Sequence, residues 1–155
     1  MFGLLNMTEY FIDELFVASN RDYSPAESRV GTIDVDFDIR RNAENPLDFM
    51  LSMSIELNKS EESFQVGDYR VILKLTGFFR FNDGVDENAI NGMISQNGLS
   101  ILYGVARGVV SQATATSWHG KVILPSINFI ELIKKKAEDV LPEKQDKKNT
   151  SKKRK

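Results

Sequence analysis

The chain has 155 residues, of which 41% are hydrophobic and 27% charged, a balance that suits one globular domain long enough to bury a real core. With no cysteine it excludes disulfides, thiolate catalysis and thiolate metal sites, and no apolar run reaches the roughly 18 residues of a membrane span. The net charge of −2 conceals an asymmetry: the 22 residues from Lys134 to Lys155 hold ten basic and four acidic side chains, so a body near −8 carries a tail of +6.

The opening segment, MFGLLNMTEYFIDELF, has no basic stretch ahead of its apolar residues and places acids where a signal peptide would not, so it reads as mature, cytoplasmic protein. Thr8 to Ser19 is rich in aromatic and β-branched residues. Its alternation slips around Tyr10, Phe11 and Ile12, which predicts an edge strand or a bulge. Ile33, Val35, Phe37 and Ile39 then alternate with Asp34, Asp36, Asp38 and Arg40, the mark of a one-sided strand. Phe49, Leu51, Met53, Ile55 and Leu57 repeat the pattern, and so do Tyr69, Val71, Leu73 and Leu75 in a run that continues to Phe81. Polar loops at 20–28, 41–48 and 58–68 separate these runs. Four strands in this order predict an antiparallel meander with one apolar face.

After Asn82-Asp83-Gly84 the period changes to that of a helix. Asp86 is the expected N-cap of a short segment with Ala89, Ile90, Met93 and Ile94 on one face, and Gly98 is expected to break or bend it. A longer helix follows, with Leu102, Val105, Ala106, Val109 and Ala113 at helical spacing. Between Ser100 and Trp118 only Arg107 is charged, whereas a surface helix normally has a charged outer face. Gly104, Gly108, Ser111 and Ala115 form a small-residue stripe that would let another backbone approach, so we expect a self-association surface here. A central helix buried within the monomer is the alternative. The chain breaks at Trp118-His119-Gly120, extends to Pro125 and enters a short final helix capped by Ser126. Beyond Val140 the composition predicts a disordered basic tail.

No reaction is written in this pattern. Asp34, Asp36 and Asp38 sit about 7 Å apart along a strand, too far apart to chelate one ion, and the Gly and Glu of a calcium loop are replaced by Ile39 and Asn45. His119 is the sole histidine and has neither the neighbours of a catalytic imidazole nor those of a zinc ligand. We therefore expect no enzyme, no metal and no cofactor. The tail KKNTSKKRK lacks an aromatic residue for stacking and meets no basic body surface, so nucleic acid is not the expected partner. Aromatic content is the stronger signal. Phe78, Phe79 and Phe81 must place rings on both faces of their strand, and Phe11, Phe16, Tyr103 and Trp118 complete the candidate polypeptide-binding set. A sheet edge beside apolar pockets is equipment for holding an extended chain. Each ring has the alternative of filling the core or an oligomer contact.

The order of elements and the string from Ile101 to Phe129 resemble the SecB family of export chaperones. Members carry an Ile/Leu-Leu-Phe/Tyr-x-x-Ala-Arg segment in the long helix, matched by Ile101, Leu102, Tyr103, Ala106 and Arg107. A connector to a Leu-x-Pro-x-Asn-Phe segment follows, and here Leu124-Pro125 precedes Ile127, Asn128 and Phe129. The resemblance implies an α+β fold over residues 1–140, a four-stranded antiparallel sheet followed by a long helix and a short C-terminal helix, with 141–155 as the tail. It also implies a dimer of dimers joined through the helices, and ATP-independent holding of unfolded client polypeptides, in support of export. Departures are Gly104-Val105 where the family commonly has Pro-Tyr, and Gly108 where it has Glu. The family's acidic tail suits docking to the ATPase SecA; the basic tail here argues against that partner. A chaperone or adaptor dedicated to one partner, such as an antitoxin, is the alternative.

Overall fold

Alternating apolar and polar side chains build a one-sided sheet, and the first of the chain's two units, Met1–Pro125 and Ser126–Lys155, is organised around one. A computed structural model describes residues 3–25 and 31–139. The expected 141–155 tail lies outside them. The strands are β1 (Leu5–Ser19), β2 (Ile33–Arg41), β3 (Asp48–Leu57) and β4 (Tyr69–Phe81), with a short helix α1 (Glu61–Val66) between β3 and β4. Helix α2 (Glu87–Met93) runs through a π-helical turn (Ile94–Gly98) into α3 (Leu99–Thr114). Asp86 caps α2 as expected, its carboxylate accepting from the Asn88 amide.

All pairings are antiparallel, in the order β1-β4-β3-β2. The expected meander therefore holds only from β2 to β4. β1 lies beyond β4, because β4 is long enough to pair on both sides. The 58–68 loop contains α1, whose six residues carry too few apolar positions to show a helical period. Its N-cap Ser60 accepts from Ser63.

Phe49, Leu51, Met53 and Ile55 of β3 and Val71, Leu73, Leu75, Phe79 and Phe81 of β4 are buried on the face that α3 covers. The helix meets them with Leu99, Leu102, Tyr103, Ala106, Val110 and Thr114. That face is turned slightly from the expected one, leaving Val105, Val109 and Ala113 half-buried at its flanks. Gly77 sets the contact: a Cβ there would stand 2.9 Å from Leu102 Cδ1 and 2.9 Å from the Phe79 ring. The connector is tied back at two points. Thr114 Oγ1 accepts from the Val122 amide at 2.8 Å, and the Tyr103 hydroxyl donates to Pro125 O at 2.6 Å. Burial raises the Tyr103 pKa, which keeps that donor protonated.

The Ser126–Lys155 unit contains a helix, α4, over residues 129–139. Its cap is Asn128, whose Oδ1 accepts from the Ile130 and Glu131 amides at 3.1 and 3.4 Å, and not the expected Ser126. The apolar residues begin one position before the cap, so the helical pattern is visible earlier than the helix itself.

Two ion pairs brace the sheet at one end. Arg80 of β4 holds Asp48 of β3 through two hydrogen bonds of 2.6 and 2.8 Å, and Arg41 of β2 holds Glu87 of α2 through two of 2.5 and 3.0 Å. Hydrogen bonding to the guanidinium lowers the pKa of each carboxyl. A lowered folded-state pKa contributes stability above the ordinary carboxylate pKa of about 4, and that contribution is lost as pH falls through the folded value. Thermal melts between pH 7 and pH 2 should therefore show a drop in the acid range that Asp48→Asn with Glu87→Gln makes shallower. Gly77→Val should lower stability by about 1–3 kcal/mol through overpacking against Leu102, read from the denaturant midpoint.

Candidate polypeptide-binding surface

Directly paired residues of an antiparallel sheet point to the same face, so the register sorts β1 into two sets. Leu5, Met7, Tyr10, Ile12, Leu15 and Val17 pair with Phe81, Phe79, Gly77, Leu75, Leu73 and Val71 and point toward the helix side. Asn6, Glu9, Phe11, Glu14 and Phe16 pair with Arg80, Phe78, Thr76, Lys74 and Ile72 and point outward. This sorting survives only because the register shifts twice, between Met7 and Glu9 and between Ile12 and Glu14. Thr8 and Asp13 are the extra residues. The Thr8 hydroxyl donates to Phe78 O at 3.2 Å, and the Asp13 carboxylate accepts from Thr76 Oγ1 at 2.7 Å. The slip of alternation in the sequence has this physical cause.

On the outward face, rows of side chains cross all four strands: Phe16, Ile72, Glu56, Asp34; then Glu14, Lys74, Ser54, Asp36; then Phe11, Thr76, Ser52, Asp38; then Glu9, Phe78, Met50, Arg40. Aromatic and aliphatic groups gather on the β1–β4 flank and the three aspartates on the β2 flank. The Phe11 and Phe78 rings meet edge to face with centroids 6.1 Å apart, a favoured geometry for aromatic pairs. Phe11 is 54% exposed, and Phe16 and Phe78 are also open to solvent. Beside Phe78 is a hollow of about 380 Å³ lined in part by Glu9, Arg40, Met50 and Arg80. β1 is the outermost strand of this sheet, so among the described residues no strand pairs with its free edge.

A separate apolar feature stands on the connector. Trp118 is 70% exposed, with the Arg21 guanidinium 4.6 Å from its ring centroid. The next residue is fastened down. The His119 amide donates to the Tyr69 hydroxyl at 2.9 Å, and that hydroxyl donates to Gly120 O at 2.8 Å. His119 Nε2 lies 2.6 Å from Asn20 O, so with a carbonyl opposite it this nitrogen carries the proton. Edge-on contacts to Tyr23 and Tyr69 complete the clip. His119 is the turn residue its setting suggested, and it joins the connector to the end of β1.

The seven expected binding residues thus divide. Phe11 and Phe78 meet on the outward face, Phe16 shares that face two rows away beyond Glu14 and Lys74, and Trp118 is on the connector. Phe79, Phe81 and Tyr103 are corrections: each is buried within the first unit at 5% exposure or less. Phe79 and Phe81 have the strand parity of the core, and Tyr103 lies on the buried side of α3. Gly104, Gly108 and Ala115 face outward on α3, and Ser111 is half-buried. Nothing lies within 4 Å of where a Cβ would stand at either glycine. Tyr10, Ile12 and Leu15 were not anticipated. They are exposed although they share a face with the core, and the slipped alternation was the only signal of them.

No family model matches the chain, and no curated protein matches it in sequence. Among solved structures, one similar to it is a Mycobacterium tuberculosis SecB-like chaperone in complex with a ChAD peptide from an antitoxin, at TM-score 0.56 and 16% identity, covering 80% of this chain and 91% of that one. Another is a protein of unknown function from Streptococcus agalactiae, at TM-score 0.42 and 8% identity, covering 79% of this chain and 97% of that one. Among the described residues no helix is long and apolar enough to cross a membrane. A four-stranded antiparallel sheet backed by a long helix, with a short helix after the connector, gives this chain the α+β fold of a SecB-like chaperone.

Proposed function

We propose that this protein is an ATP-independent chaperone of the cytoplasm that holds unfolded or extended polypeptides on the outward face of its sheet. The observation that carries this reading is the exposed Phe11–Phe78 pair, with Phe16 exposed on the same face, beside the open edge of β1. An extended client adds main-chain hydrogen bonds along such an edge whatever its sequence, and aromatic contacts add affinity. Trp118 on the connector is a further contact. The activity needs no cofactor or catalytic group. The chain works as a homo-oligomer, a dimer of dimers, joined through the α3 stripe of Gly104, Gly108, Ser111 and Ala115.

A second reading is a chaperone dedicated to one partner, such as an antitoxin. It is favoured by the structural neighbour that was captured with an antitoxin peptide. Capture from the native host separates the two readings: many clients support general holding, and one stoichiometric partner supports the dedicated role.

At equimolar amounts the protein should suppress light scattering from a chemically unfolded client upon dilution. Phe11→Ser with Phe78→Ser should weaken client binding more than tenfold, since removing two exposed rings that a client would cover costs upward of about 1.4 kcal/mol. Unchanged suppression by this double variant, with the fold intact by circular dichroism, would count against the outward face.

A further inference from the structure

The outward face of the sheet changes sign at one end. Three of its cross-strand rows finish on β2 in Asp34, Asp36 and Asp38, and the fourth finishes in Arg40. The next outward pairing, Asp48 with Arg80, brings a second guanidinium to that end. Both arginines line the hollow of about 380 Å³, together with Met50 and Phe78, which are cross-strand partners in the row of Arg40. The charges around it are Arg40, Arg41 and Arg80 against Glu9 and Asp48. On a body near −8 this is a local reversal of charge, set directly beside apolar groups.

These charges differ in how far they are already engaged. Asp48 accepts from Arg80 and from Asn45, and Arg41 donates to Pro46 O and to Glu87. Arg80 uses its Nε and Nη2 on Asp48, whereas Arg40 uses only Nε, on Asp38 at 2.7 Å. Nη1 of Arg80 and both terminal nitrogens of Arg40 therefore have no hydrogen-bond partner among the described residues. The two side chains are 60% and 71% exposed, so a ligand can reach those N–H groups. Their planar fork suits a carboxylate.

We propose that this hollow selects polypeptide segments carrying an aspartate or glutamate two residues from an apolar side chain, the apolar group resting on Phe78 and Met50 and the carboxylate on Arg40 and Arg80. The spacing comes from the strand. Phe78 and Arg80 are two residues apart on one face of β4, about 7 Å, and an extended segment lying over β4 repeats that interval between its own same-side residues. Met50 is unbranched and adapts to side chains of different shape. The hollow is continuous with the proposed client surface, because Phe78 belongs both to it and to the pair with Phe11. Elsewhere on the face a client acid would lie nearer the aspartates of β2, and Glu9 repels it from the β1 side of the hollow. The acid is thus directed to one end and sets the register of the bound segment. The inference rests on client holding by the outward face and names the chemistry that one end of it prefers.

Fluorescence anisotropy on the full chain tests this with labelled, end-blocked peptides built on one extended apolar sequence around a central phenylalanine. Aspartate is placed two residues before the phenylalanine in one peptide and two residues after it in another. Controls carry asparagine at those places, or aspartate directly beside the phenylalanine. One of the spaced aspartate peptides is expected to bind about threefold to fivefold tighter than its asparagine counterpart, the modest gain of an exposed ion pair. The gain should vanish at high salt, in Arg40→Gln, and in Arg80→Gln made together with Asp48→Asn so that no carboxylate loses its partner. Arg40→Glu should turn the preference toward lysine at the same place. Circular dichroism should be unchanged in each variant, because both arginine side chains are exposed. The inference is overturned if the gain survives the arginine variants, or if the adjacent aspartate gives as much. It is also overturned if an asparagine peptide with a free C-terminal carboxylate binds as tightly, or if acetylated aspartate alone displaces the peptide at comparable concentration. Equal binding of all the peptides would overturn it and leave client holding standing, whereas no binding of any peptide would overturn both.

Discussion

The parity of β1 is the constraint on which the other surfaces depend. Fifteen residues of β1 lie against thirteen of β4, and the two extra residues, Thr8 and Asp13, are absorbed where the register shifts. A one-residue change of register moves every following side chain to the other face. With neither bulge, Tyr10 and Ile12 would point outward and Phe11 would turn toward the helix side, while Leu15 and Phe16 would keep their places because the two shifts cancel. The middle of the strand therefore owes its sidedness to the first bulge, and the second restores the phase for Val17 to meet Val71. Side-chain hydrogen bonds from Thr8 and to Asp13 satisfy the interruptions, and the twist that bulges add helps shield an edge strand from indiscriminate pairing.

The core beneath α3 is shaped by one absence. Leu102 fits against β4 because Gly77 has no side chain, and the same missing Cβ gives the Phe79 ring its place. Leu51, Leu73 and Leu75 are fully buried around this contact. The buried face of α3 is set by this hollow and not by the helix's own apolar period, which Val105 and Val109 would satisfy equally well. The connector then closes over the end of the helix through hydroxyl groups, Thr114 to Val122, Tyr103 to Pro125 and Tyr69 to Gly120. Each binds main chain, so an irregular segment is held in place without needing an apolar face of its own.

The sequence made β2, β3 and β4 legible because each has one wet face and one dry one, and alternation records that difference directly. The Asp34, Asp36 and Asp38 series was readable as a solvated face for the same reason. β1 was legible as an edge with a fault but not in its sidedness, since apolar residues occupy both faces and periodicity cannot assign them. The order β1-β4-β3-β2 was not legible at all, because strand pairing is a long-range choice that β1 and β2 leave open. Among the candidate site residues, Phe11, Phe16, Phe78 and Trp118 are exposed, as the expected role requires. Phe79, Phe81 and Tyr103 were wrongly grouped with them, because a ring at one position looks the same in the sequence whether a helix covers it or not.

The division of labour on the sheet also bears on what kind of binding the outward face favours. Three of the four cross-strand rows carry a phenylalanine on β1 or β4, the other carries the Glu14–Lys74 pair, and the rows end on β2 in a carboxylate or, in the last, in Arg40. A ligand lying along β1 would meet rings at intervals of several residues and main-chain groups between them. Contacts of that kind select for extended, apolar segments and discriminate poorly among sequences, because each ring accepts any flat or branched side chain at similar cost. A dedicated partner would need a feature that rejects others, and the Arg40–Arg80 end, where guanidinium groups border the hollow beside Phe78, is where charge adjoins the aromatic cluster. On the proposed reading, selectivity on this face would depend on what a bound segment carries next to its apolar residues, while the affinity would come from the rings and the open edge.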